Sequence, residues 1–232
     1  MNTEHMALLQ GWADTRSTLR RWKIRPGHAL VPWSLGSLTI AVLLLGATWV
    51  IAGVIAPDAS RLSFPGLYFE ATLGDFGFIL YRNGLVLALH GFACVAGFMA
   101  GSSLPQVAEG YSGAWRWIHD KAGPLAIAFV IAATVFSLTT QAWALGSAAS
   151  TLSAQLEISP ALLLLGLAPH AIPELFALFL PLAAWTIAAR RKAWNELLAA
   201  TFVTVAIAIP IIVVAAAVEA WVSPRVLVAL AG

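Results

Sequence analysis

Charge is scarce in this chain, and cysteine is nearly absent. Only 10% of the 232 residues are Asp, Glu, Lys or Arg, whereas an ordinary soluble domain carries roughly 25%. No polar stretch is long enough to enclose a separate water-soluble core, and 60% of the residues are hydrophobic. The single cysteine, Cys94, excludes an intrachain disulfide and any cysteine-based metal or iron–sulfur set. Nucleotide-binding loops, dinucleotide fingerprints and internal repeats are also missing. The formal charge of +2 sits in short clusters beside apolar segments and is not spread over one face, so nucleic acid is not expected as a partner. No cofactor is expected either.

What is present is a series of long apolar runs, each near the roughly 20 residues that cross a bilayer as a helix. They predict an all-α, polytopic membrane bundle of about five spans, near 33–56, 84–104, 124–146, 172–189 and 197–222. The first 32 residues read as a basic head carrying Arg16, Arg20, Arg21, Lys23 and Arg25, and residues 33–232 as the membrane domain. The first apolar run starts after about 30 residues and is too long for the core of a cleavable signal peptide, so it is expected to stay in the bilayer. Basic residues favour the cytoplasmic side. The head, the Pro105–Lys121 loop with Arg116 and Lys121, and the Arg190-Arg191-Lys192 cluster then all fall inside. This places the chain in the cytoplasmic membrane with its N-terminus in the cytoplasm. The Pro57–Arg82 loop, with Asp58, Glu70 and Asp75 against Arg61 and Arg82, falls outside. Its apolar residues from Leu67 to Leu80 suggest an interfacial helix.

The run Pro160–Ala189 is the difficult one. As one straight helix of about 30 residues it would rise about 45 Å, more than the hydrocarbon core. It also contains Pro169, Pro173 and Pro181. The expectation is a short re-entrant or interfacial helix, Ala161–Ala168, ahead of His170, followed by a full span from about Pro173. A hairpin around Pro169 would make six crossings and place Arg190–Lys192 outside.

Ionisable residues inside apolar spans are costly, and they are where function is sought. His170, Glu174 and Glu219 are the candidates, with His90 as a fourth and Asn83 adding an amide. In a helix, His170 and Glu174 share one face at i and i+4, and Pro173 stands in the first turn after a break at Pro169. On a 1.5 Å rise, Glu174 lies about 24 Å from Arg190 and Glu219 about 35 Å from Glu196, which puts both in the outer half. Two readings stand side by side: a catalytic or substrate site, and a buried His–Glu network that pins one helix to its neighbours. A metal is not expected, since zinc wants three or four ligands.

Pro169-His170-Ala171-Ile172-Pro173-Glu174-Leu175 resembles the His-Gly-x-x-Glu element of the stage II sporulation protein M family, with Ala171 in place of glycine. Ala216-Ala217-Val218-Glu219-Ala220-Trp221-Val222-Ser223-Pro224 resembles that family's Ala-x-x-Glu-Ala-x-x-Ser/Thr-Pro element. The start at Arg82-Asn83-Gly84, with Gly97 and Gly101 following, resembles a third. The polar cluster to watch is therefore Asn83, His170, Pro173, Glu174, Glu219 and Pro224. The resemblance implies a scaffold or accessory subunit of a cell-envelope remodelling or export complex of bacteria, with the lipid bilayer and other membrane or envelope proteins as partners and a homo-oligomer left open. It implies no enzyme in the first place. One alternative is an intramembrane enzyme for peptide leader cleavage, cyclisation or lipid chemistry, using His170, Glu174 and Glu219. A transporter component is the other.

Overall fold

The computed structural model describes residues 7–59, 62–103 and 112–232. Arg61 and the first part of the Pro105–Lys121 loop lie outside the described residues. Within them the chain is helical, with α1 at Ala7–Ile24, α2 at Gly27–Val54, α3 at Leu73–Phe98, α4 at Gly113–Gln155, α5 at Pro160–Arg191, α6 at Leu197–Ala217 and α7 at Ser223–Ala231. Two π-helical turns, Met99–Ser103 and Val218–Val222, extend α3 and join α6 to α7. Among the described residues, five helical stretches are long and apolar enough to cross a membrane: Gly27–Val54, Leu73–Ser102, Gly113–Gln155, Pro160–Arg191 and Trp194–Ala231. The fold is an all-α membrane bundle, and the hairpin that would make six crossings is not formed.

Two details correct the sequence-based expectations. No short helix stands apart before His170, because Pro160–Arg191 is one uninterrupted helix that runs through Pro169, Pro173 and Pro181. Each proline removes one N–H and frees one carbonyl, a cost that neighbouring groups absorb in membrane helices. The Leu67–Leu80 stretch likewise forms no separate interfacial helix. Leu73 to Leu80 begin α3, and Leu67 lies in a turn that joins Leu62 and Phe64 against a core of Ala52, Ala149, Leu152, Leu163 and Leu227.

Both α5 ends follow local rules. Glu157 adopts φ 55, and the Ile158 N–H bonds the Ser153 carbonyl at 3.0 Å, a Schellman stop for α4. Ser159 then caps α5, its Oγ accepting the Leu162 N–H at 3.2 Å, with Pro160 in the first helical position. At the far end Lys192 has φ 56 and the Ala193 N–H bonds the Ala188 carbonyl at 2.9 Å, so the same device stops α5. Two short turns thus reverse the chain on either side of the helix that carries His170 and Glu174.

Packing sorts the chain into two compact units. One comprises Met1–Ser37, Leu87–Thr134 and Phe179–Ile207; the other comprises Leu38–Val86, Val135–Leu178 and Ala208–Gly232. In the first, α1 is docked. Any Cβ at Gly11 would stand 2.7 Å from Leu198, Thr18 is fully buried, and Arg21 pairs with Glu196 at 3.1 Å. Trp22 and Trp33 meet edge to face at 4.9 Å between ring centroids. In the second, Gly146 lets α4 approach α2, since a Cβ there would lie 3.2 Å from the Thr48 carbonyl and closer still to Ile51.

Candidate functional site

The candidate residues of the second unit gather where α3, α5 and the α6–α7 segment meet. His170 and Glu174 lie one turn apart on α5, and Glu219 and Ser223 lie one turn apart on the other segment. Nδ1 of His170 stands 2.6 Å from Oγ of Ser223, and both side chains are buried. Glu174 lies against Glu219, each within the other's electrostatic reach. Four residues forward on α5 correspond to four residues back on its partner. The two pairs are therefore successive rungs of one antiparallel helix contact.

The third side comes from α3. Asn83 is buried with its amide beside Glu174, and the guanidinium of the more exposed Arg82 acts on both carboxylates. One turn before Asn83, Ile79 packs on Ala216 and Ala220, both fully buried. These small residues, together with Glu219, form one face of the Ala-x-x-Glu-Ala element, and they bring the helix backbones close enough for the polar side chains to touch. The cluster is thus two half-buried carboxylates, one amide, one cation and a His–Ser bond. It is not fully satisfied, because Oε2 of Glu174 and Nδ2 of Asn83 are buried without a hydrogen bond.

Backbone geometry explains Pro224. The Ser223 N–H bonds the Val218 carbonyl, five residues back, so the turn is π-helical. Pro224 has no N–H to give to the Ala220 carbonyl, its α-helical partner. The extra residue in the turn shifts everything after it by about 100° relative to an α-helix, because 3.6 residues make one turn. Gly66, with φ +76, sits against the same place: a Cβ there would come within 2.6 Å of the Ala220 oxygen and 2.7 Å of Pro224 Cγ. Arg225 Nη1 donates to the Trp221 carbonyl, and Trp221 Nε1 donates to the Ala71 carbonyl at 3.4 Å.

The residues Gly66–Ala71 with Ala220, Trp221, Pro224 and Arg225 line a cavity of about 500 Å³. Asn83, His170, Glu174 and Glu219 are not among its walls. Pro173 is half-buried on α5 between the two rungs. His90 belongs to the first unit, where its ring lies 5.6 Å from that of Phe179. Among the described residues, no three His, Cys, Asp or Glu side chains gather in a way that could hold a metal ion. Two members of the cluster, Ser223 and Arg82, were not among the sequence-based candidates. The matched four-residue spacings His170–Glu174 and Glu219–Ser223 are the signal that points to Ser223.

Fold and cluster together define a polytopic α-helical membrane protein with a polar contact built between apolar helices. Residues 122–224, a little under half of the chain, match the family model described as Stage II sporulation protein M. The match takes in both the His170–Glu174 and the Ala216–Pro224 elements, and Arg82 and Asn83 lie before it. No curated protein and no solved structure matches the chain.

Proposed function

We propose that the chain is a multi-span scaffold or accessory subunit of a cell-envelope remodelling or export complex in the cytoplasmic membrane, with its N-terminus on the cytoplasmic side. The observation that carries this reading is the two-rung contact: His170 bonds Ser223, and Glu174 stands against Glu219 in the same register. Polar groups committed to one another hold helices in register, as interhelical hydrogen bonds do in membranes. The orientation rests on Arg190, Arg191 and Lys192 falling on the same side as the basic N-terminal segment. Glu174→Gln is expected to lower both the recovery of monodisperse protein and the co-purification of membrane partners, together with any cellular phenotype. Normal assembly combined with a lost phenotype would sink this reading.

A second reading draws support from one specific observation, the buried Glu174 Oε2 and Asn83 Nδ2, which belong to neighbouring side chains but close no hydrogen bond of good geometry. Such groups are suited to receive a polar atom of a bound peptide or lipid, with Glu174 as the acid–base group and Nε2 of His170 as a further proton acceptor. Product formation by purified protein, absent in His170→Ala, would support it. Equal product from both proteins would end it.

A further inference from the structure

The first unit holds a cavity of about 330 Å³ where α1, the start of α2 and the α5–α6 turn come together. Its charged walls are Arg21, Arg25, Arg191 and Glu196, with His28 among them. Three arginines thus face one carboxylate, and that carboxylate is already bonded to Arg21 at 3.1 Å. Arg25 and Arg191 have no acidic partner among the described residues, and both are exposed toward the opening. The rest of the wall is apolar, with Ala29, Trp33, Ile187 and Ala200 contributing, and Trp22 held edge-on to Trp33. A second opening of about 400 Å³, lined by Ile187, Arg190 and Arg191, shares two of these residues.

We propose that this cavity binds a phosphate group, held between Arg25 and Arg191 at the mouth of a largely apolar chamber. The guanidinium fork matches phosphate oxygens two at a time, which an ammonium cannot do. Arg21 cannot move freely to a distant partner, because Thr18 and Glu196 hold it at 3.0 and 3.1 Å. It fixes the end of α1, and Arg25, the first residue past that helix, lines the opening. The two cations come from segments distant in sequence, so a bound phosphate would tie the α1–α2 connection to the end of α5 by charge-assisted bonds. The phosphate could arrive as an anionic lipid headgroup, with acyl chains along the apolar wall, or as the free ion.

The experiment uses the full chain in a neutral detergent, with the thermal midpoint read as phosphatidylglycerol, phosphatidylcholine or inorganic phosphate is added; a ligand of the folded state raises the midpoint. Phosphatidylglycerol is expected to raise it saturably and phosphatidylcholine to leave it unchanged. R25Q/R191Q is expected to weaken the response at least tenfold, whereas R16Q/R20Q, an equal loss of charge on α1 outside the cavity, should change it less than twofold. A response to phosphate alone assigns the free ion; a response to the lipid alone assigns the headgroup. Equal weakening by the two glutamine pairs, or an unchanged response in R25Q/R191Q, overturns the site. Should R25Q/R191Q fail to fold, R25K/R191K keeps the charge without the fork and should bind several-fold more weakly; wild-type binding by that variant also overturns it.

Discussion

His170 and Ser223 stand 2.6 Å apart, and Glu174 and Glu219, each one turn further along, meet in the same register. A bond between buried side chains on two helices contributes about 0.6 kcal/mol on average and up to about 1.7 kcal/mol inside membranes. The single variants His170→Ala and Ser223→Ala should therefore lose more when measured separately than the double variant loses in sum. We expect a coupling of about 1 kcal/mol in a double-mutant cycle read by unfolding in mixed micelles. Strict additivity would mean that the bond holds nothing together.

The register also has a consequence at Gly66. Its positive φ and its closeness to the Ala220 oxygen leave no room for a side chain. Gly66→Ala should destabilise by about 1–2 kcal/mol from the backbone conformation alone, with crowding against Pro224 adding to that. Gly46→Ala is the comparison, since nothing lies within 4 Å of a Cβ there. It should leave the thermal midpoint unchanged or slightly raised, because alanine is the better helix former. A Gly66→Ala protein as stable as the wild type would show that the Gly66 turn does not bear on the α6–α7 junction.

Much of this arrangement is legible in the residues, and the part that is not has identifiable reasons. The five apolar helices follow from run length, because in a bilayer the backbone must satisfy itself within each segment. His170, Glu174 and Glu219 stand out as ionisable groups among apolar neighbours. The continuity of α5 is not legible, because Pro169 and Pro173 read locally as a break, and only the packing around the helix decides whether the freed carbonyls are tolerated. The helix expected over Leu67–Leu80 fails for a related reason. Apolar content suggests burial, yet Leu67 is partly buried in a turn, Leu80 partly buried in α3, and Phe69, Leu73 and Phe78 are exposed. Arg82 is hidden from composition too, since it reads as a topology charge and acts on two carboxylates whose positions depend on three helices meeting.

Pro224 links the backbone of the last helix to the His170 bond. It withholds an N–H from the Ala220 carbonyl, and the Ser223 N–H reaches back five residues to Val218. Pro224→Ala supplies the missing donor and allows the turn to close as an ordinary α-helix. Closing it removes one residue from the turn and rotates the residues beyond it by about 100°. Ser223 lies at the end of that turn, so its hydroxyl should leave His170 while Glu219, at the start, keeps its place beside Glu174. The coupling between His170 and Ser223 should then fall close to zero in a Pro224→Ala background, whereas Glu174→Gln should cost about as much as it does in the wild type. If the coupling survives at full strength in that background, the π-helical turn does not set the register, and some other feature of the α6–α7 junction does.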